Sequence, residues 1–217
     1  RAVASLWLRP RDPLPGDPRA GYKTQAPLRL PVRGTWWVFW GGRLERENYH
    51  LASLDQRHGC DFAVWRGAGT YDGDGIRNDS YHAWDQPVVA PADGTVVAAV
   101  DGVRDNRPRI ESTNLQAPAG NHVLLDLGRE EFVLLAHLRQ GSVRVKPGQA
   151  VKRGDLLAQC GNSGNSSEPH VHVHLQDRKE LFQRAVGLPM QFARLVVDGK
   201  PVEKSPVRQG QFVRSPE

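Results

Sequence analysis

The sequence has few cysteines and no long apolar run, and both absences narrow the possible classes of protein. Its 217 residues include only two cysteines, Cys60 and Cys160, which permit one disulfide at most and do not form the close pair of a cysteine metal site. Each lies among apolar residues, which favours two buried free thiols. Runs such as FVLLAHL are far shorter than the roughly 20 residues that cross a bilayer, so we expect no integral membrane span.

Helical periodicity and a basic stripe are also missing. No stretch keeps a helical spacing of apolar residues over ten positions. The formal net charge of +5 is spread over scattered lysines and arginines, which argues against a nucleic-acid partner. The sequence has instead many short, β-branched or aromatic runs separated by Gly, Pro, Asn and Asp: TWWVFW, CDFAVW, GTVVAAV, NHVLLDL, EFVLLAHL, HVHVHL and ARLVV. This pattern predicts an all-β fold of short antiparallel strands.

Composition divides the chain into three parts. Residues 1–35 are rich in proline and arginine, which predicts an irregular, extended N-terminal arm. Residues 36–178 contain most of the predicted strands, with a Gly- and Asp-rich loop inserted at 66–86. The acids of that loop lack the spacing of an EF-hand, so we expect no calcium site there. Residues 179–217 add strands packed on the same domain, with Asp-Gly at 198–199 marking a hairpin turn.

Three histidines stand at alternate positions in EPHVHVHLQ. In an extended strand His170, His172 and His174 project from one face, either to form a site or to lie on a solvated surface. His170 and His174 are four residues apart, about 13 Å in a strand, which is too far for both to bind one zinc ion. We therefore expect His174 to support a site or to pack, and not to act as a ligand.

Two glycine-punctuated stretches, APADGTVV at 90–97 and VRVKPGQAVKRGDLLAQCG at 143–161, resemble the barrel-sandwich hybrid, a duplicated hybrid motif. Lipoyl and biotinyl carriers, phosphocarrier domains and lysostaphin-type metallopeptidases share this architecture. No lysine sits in a lipoyl-type hairpin, which argues against a swinging-arm carrier. A phosphocarrier would need two facing histidines without an acid ligand, and the PHVH block argues against that.

From Pro87 to Gln176 the chain resembles the lysostaphin or LytM-type zinc metalloendopeptidases. PVVAPADGTVV, GNHVLLDLG, LLAHL and the long block that ends in PHVHVHLQ occur in the order and spacing of that family. The resemblance implies that His172 binds zinc, that His170 lies beside the metal and that His137 of LLAHL is a catalytic companion.

The same resemblance implies a function. We expect a zinc-dependent endopeptidase that hydrolyses peptide cross-links of bacterial cell-wall peptidoglycan. Such an enzyme is periplasmic, secreted or associated with the cell envelope, and an opening on Arg1 instead of methionine is what a processed, exported product shows, although a trimmed chain looks the same. The alternative is a catalytically inactive relative that binds wall peptides or regulates a partner hydrolase.

The chain departs from this family at its first metal motif, which is histidine, three residues and then aspartate. The matching stretch, RHGCD, has Asp61 in place but Arg57 in the histidine position, and a guanidinium has no lone pair for a metal. A β-hairpin turning at residues 55–56 would put His50 directly opposite Asp61, which predicts His50 as the missing ligand. His82, in the inserted loop, is the alternative.

A site of His50, Asp61 and His172 supplies two nitrogens and one oxygen, and it leaves the fourth zinc position open for water. Zinc lowers the pKa of that water to about 7. His170 and His137 would then divide proton transfer and oxyanion stabilisation between them. The remaining candidates for the substrate groove are His82, His122 and Asn165, and plain strand packing is an equal alternative for His122.

Overall fold

The computed structural model describes Arg19 and residues 21–111, 113–182 and 184–216. The strands of these residues are β1 Trp36–Trp40, β2 Cys60–Ala63, β3 Pro87–Val89, β4 Gly94–Val100, β5 Asn121–Asp126, β6 Phe132–Leu138, β7 Ala150–Val151, β8 Leu156–Gln159, β9 Val171–Gln176, β10 Gly187–Leu188, β11 Phe192–Val197, β12 Lys200–Ser205 and β13 Phe212–Arg214. Two short 3₁₀ helices, Tyr49–Ala52 and Asn78–Ser80, complete the regular structure. Neither has the length or the apolar character of a membrane-crossing helix.

Eleven strands form one antiparallel sheet. Their order is β12-β11-β13-β1-β2-β9-β6-β5-β4-β7, and β10 pairs with the far part of β9. Strands β3 and β8 form a separate two-stranded sheet. The prediction of an all-β fold with short antiparallel strands and extra C-terminal strands is confirmed. Both cysteines are buried and unpaired, as their apolar surroundings predicted.

Part of the predicted N-terminal arm is built into the core. Residues 1–18 and residue 20 lie outside the described residues. In the rest of the arm, Leu28, Leu30 and Val32 are at most 3% exposed. The carboxylate of Glu131, at the turn before β6, accepts hydrogen bonds from the backbone N–H groups of residues 25 and 26, at 2.6 and 2.8 Å. The described part is therefore irregular, but it is packed against the domain.

Strand β9 lies between β2 and β6 and is buried along its whole length. Because side chains alternate along a strand, Val171, Val173 and Leu175 enter the core from one face. The histidines at even positions occupy the opposite face. The register places His172 opposite Asp61 on β2 and opposite Ala136 on β6. This pairing fixes the central contact of the site.

The predicted hairpin between residues 50 and 61 is wrong. Strand β2 pairs with β1, and Asp61 is opposite Trp40. His50 lies instead in the 3₁₀ helix Tyr49–Ala52, which Asn48 caps by accepting a hydrogen bond from the His50 N–H. The aromatic and β-branched run of β1 is a better strand former than NYHLAS, so it takes the place beside β2.

A close approach of two backbone segments at Gly161 gives a test of the packing. A Cβ atom there would overlap the backbone nitrogen and Cα of Arg139. We expect Gly161→Ala to lower the free energy of unfolding by about 1–3 kcal/mol, because the backbone must shift to admit the methyl group. Urea denaturation measures this change.

Gly69→Ala is the matched control, since a Cβ there meets nothing within 4 Å. We expect its effect to stay within about 0.5 kcal/mol. Equal effects of the two substitutions would contradict the close approach at Gly161.

Candidate metal centre

Three buried side chains converge where β2, β9 and the first 3₁₀ helix meet. Ligand atoms of His50, Asp61 and His172 all lie within 4.8 Å of one another, and the three residues are 1–3% exposed. Nε2 of His50 lies 3.4 Å from Oδ2 of Asp61, and Nδ1 of His172 lies 2.8 Å from Oδ1. Two imidazole nitrogens and one carboxylate oxygen are a donor set typical of catalytic zinc sites.

The orientation of His50 is fixed by Asn48. The Asn48 amide nitrogen donates to the carbonyls of Gly42 and Gly59, at 3.2 and 3.1 Å, so its oxygen faces the other way. That oxygen accepts from Nδ1 of His50 at 2.7 Å. The proton of His50 is therefore on Nδ1, and Nε2 presents a lone pair toward Asp61. Nε2 is buried and has no hydrogen-bond partner among the described residues, which is the state expected of a metal ligand.

Arg57, in the position where the family motif has histidine, contributes through its backbone. Its carbonyl oxygen accepts a third hydrogen bond from the Asn48 amide, at 3.4 Å. Although Arg57 replaces the histidine of the motif, an imidazole still lies beside Asp61, because His50 occupies that position.

Two more imidazoles face the cluster. Nδ1 of His170 donates to the Glu168 carbonyl at 2.8 Å, and Nδ1 of His137 donates to the Ser163 carbonyl at 2.9 Å. Each ring thus keeps its lone pair on Nε2. Nε2 of His170 lies 3.8 Å from Oδ2 of Asp61 and has no hydrogen-bond partner among the described residues. The His137 and His170 ring centroids are 4.8 Å apart, so the two rings can act on one reacting group.

His137 owes its position to an irregularity in β6. Between the pairs Asn121↔Leu138 and Val123↔Leu135 the register shifts, so that two residues of β6 face one of β5. Within this bulge His137 has φ of 61°, in the left-handed region. Such a conformation costs about 1–3 kcal/mol in a residue other than glycine and is concentrated at functional sites. The bulge turns the imidazole toward His170.

Burial decides the protonation states. It lowers the pKa of His50 and His137 well below the ordinary histidine value, with neighbouring imidazoles adding to the effect. It lowers the pKa of His172 to about 4. Burial also raises the pKa of Asp61 to about 6, while a hydrogen bond with Tyr49 acts in the opposite direction. Neutral imidazoles have the free lone pairs that a metal requires.

A row of aromatic side chains flanks the cluster, and none of them is among the site residues predicted from the sequence. Trp37 contacts Trp65 and Phe39, with ring centroids 4.9 and 5.5 Å apart, and Phe39 lies 6.5 Å from the ring of His170. Trp40 contacts Tyr49, which packs on His50 at 4.1 Å. The signal was present in TWWVFW, since the residues of β1 that point away from the core are all aromatic.

The other predicted residues lie outside the converging group. Nδ1 of His82 is 3.8 Å from Oδ2 of Asp72 in the inserted loop, and His82 is not among the described side chains that gather at Asp61. His122 lies on β5 and donates from Nδ1 to a backbone carbonyl at 2.8 Å. Asn165 is exposed and lines a small cavity together with His137. A role in substrate binding for these three residues stays a prediction.

Residues 78–184 match the model of peptidase family M23. An uncharacterized metalloprotease of Haemophilus influenzae is 41% identical over 95 residues, which are 42% of this chain and 17% of the relative. The peptidoglycan DD-endopeptidase ShyA of Vibrio cholerae is 32% identical over 96 residues, 40% of this chain and 20% of the relative. The crystal structure of a zinc-containing peptidase from Vibrio cholerae superposes with a TM-score of 0.43 at 20% identity, over 82% of this chain and 39% of the other.

The chain spans about a fifth of the length of the curated relatives it matches. The family match includes His137, His170 and His172, whereas His50 and Asp61 precede it. Residues 78–184 therefore have the sequence pattern of peptidase family M23.

Proposed function

We propose that this chain is a zinc-dependent endopeptidase that hydrolyses peptide cross-links of bacterial peptidoglycan. The observation that carries the proposal is the buried cluster of His50, Asp61 and His172, in which Asn48 holds the lone pair of His50 toward the carboxylate. The match of residues 78–184 to a peptidase family, and of part of the chain to a relative named a metalloprotease, supports the reaction class. The name of the relative ShyA, a peptidoglycan DD-endopeptidase, supports peptidoglycan as the substrate. A peptidoglycan substrate implies an exported or envelope location.

The donor set fits zinc. Two neutral imidazoles and one carboxylate leave an open coordination position, as a hydrolytic zinc site requires. A zinc ion held by these residues would lower the pKa of a bound water molecule and polarise the scissile carbonyl. Tyr49 and Trp40 cover one side of His50, which limits the access of bulk water to that ligand.

His170 and His137 supply the proton transfers. Each ring donates a hydrogen bond from its Nδ1–H to a backbone carbonyl, so its Nε2 is available to accept a proton. The same carbonyls stabilise the imidazolium that forms when Nε2 is protonated. Two such bases 4.8 Å apart can accept a proton from the attacking water and deliver one to the leaving amine. The unpaired Nε2 of His170, 3.8 Å from the carboxylate of Asp61, supports a role for His170 in accepting the proton of the attacking water.

Zinc binding tests the ligand set. We expect the wild-type chain to bind one zinc ion and His50→Ala to weaken binding by at least about 100-fold, because a ligand is removed from a three-residue site. His82→Ala is the matched control and should bind as the wild type does, since His82 lies against Asp72. Elemental analysis and competition with a chromophoric chelator measure both. Stoichiometric zinc in His50→Ala, or its loss in His82→Ala, would contradict the assignment.

His137→Asn tests the catalytic assignment separately from metal binding. Asparagine tolerates the left-handed backbone at this position but supplies no base. We expect unchanged zinc affinity and a fall of about 10²–10⁴-fold in the cleavage rate. The assay incubates the zinc-loaded protein with purified sacculi and follows the conversion of cross-linked muropeptides to uncross-linked ones by mass spectrometry.

The same assay separates the enzyme from the inactive alternative. If the zinc-loaded wild type binds sacculi without releasing any cross-link, the chain is a wall-binding relative. If His137→Asn cleaves as fast as the wild type, His137 has no part in proton transfer.

A further inference from the structure

The second ring nitrogen of His172 is bound by a row of side chains on β9. Nε2 of His172 lies 2.8 Å from Nδ1 of His174, and Nε2 of His174 lies 2.8 Å from Oε1 of Gln176. The three side chains alternate with the core residues of the strand and therefore share one face. All three are at most 3% exposed, so water does not compete for these hydrogen bonds.

The direction of these hydrogen bonds is set at Gln176. Its amide nitrogen donates to the carbonyls of Arg178 and Glu180, at 2.7 and 3.3 Å, so its oxygen must face His174. An amide oxygen only accepts, and His174 must therefore donate from Nε2. With that proton on Nε2, the His174 ring has its lone pair on Nδ1, which lies 2.8 Å from Nε2 of His172. That lone pair accepts the Nε2–H of His172.

The position of this proton determines what Nδ1 of His172 presents to Asp61. With its proton on Nε2, His172 presents the lone pair of Nδ1 to Oδ1 of Asp61 at 2.8 Å. Two acceptors at this distance repel each other unless a cation lies next to both. The opposite tautomer would donate from Nδ1 to Asp61 and occupy the lone pair that a metal needs. Within β9, Gln176 and His174 oppose that tautomer.

We propose that His174 and Gln176 are positioning residues that hold His172 in the tautomer able to bind a metal through Nδ1. This inference rests on the proposed metal centre. It assigns a role to the third histidine of HVHVHLQ, which lies too far along the strand to share the ion with His170.

Ring tautomers can be measured without any metal. In the zinc-free full chain labelled with ¹⁵N, long-range ¹H–¹⁵N correlation spectra distinguish a protonated Nδ1 from a protonated Nε2. We expect both His172 and His174 to have the proton on Nε2, before and after zinc is added. A proton on Nδ1 of His172 in the wild type would overturn the proposal.

Zinc affinity tests the consequence. His174→Leu removes the acceptor, and we expect binding to weaken by about 10–100-fold, the usual effect of losing a hydrogen bond to a ligand. His174→Gln restores an acceptor and should recover most of the affinity. Gln176→Leu should weaken binding by a smaller factor, because His174 can then adopt either tautomer. Competition with a chromophoric chelator measures all three.

Val173→Ala is the control for general damage to β9. Val173 is fully buried, and its side chain packs in the core on the face of β9 opposite to His172, His174 and Gln176. We expect it to lower stability while zinc affinity stays within about threefold of the wild type. Should His174→Leu fail to fold, Gln176→Leu and the tautomer spectra still decide the proposal.

The two proposals fail differently. If the wild type binds no zinc, the proposed function is wrong whatever the tautomers are. If the wild type binds zinc and His174→Leu binds it equally tightly, the metal centre stands and the positioning role is wrong.

Discussion

A carboxylate buried among imidazoles is the constraint on which this structure depends. Asp61 is 1% exposed, and ring nitrogens of His50 and His172 lie 3.4 and 2.8 Å from its oxygens. Burial of an ion costs several kcal/mol, and neighbouring acceptors increase the cost. A divalent cation among these groups would attract the carboxylate and each facing nitrogen, and would outweigh their mutual repulsion. The arrangement is therefore unfavourable as an isolated cluster and would be favourable around a cation.

Elements distant in sequence maintain that arrangement. The pairing of β2 with β9 sets Asp61 opposite His172, and the Asn48 cap holds His50 beside them. Strand β9 serves two purposes, because its odd residues pack in the core while its even residues form the site. Core packing therefore fixes the register, and the register fixes the geometry of the site, since a slip of one residue would turn the histidines of β9 into the core.

The sequence predicted the strands and the nearness of His50 to Asp61, and the reasons for its errors are physical. The hairpin that predicted His50 does not form, since the aromatic strand β1 pairs with β2, and choice among distant strands is not a local property. The bulge that turns His137 requires the register of β5, and the fixed tautomer of His50 requires carbonyls at Gly42 and Gly59. A pattern of residue types contains neither.

The arrangement around Asn48 explains how the site accommodates Arg57 in the position where the family motif has histidine. The backbone of Arg57 helps to orient Asn48, and Asn48 orients His50. A side chain in a 3₁₀ helix needs such an anchor more than a side chain on a strand does, because no ladder of hydrogen bonds fixes its direction. The burial of Asn48, at 0% exposure with all its polar atoms bonded, meets that need.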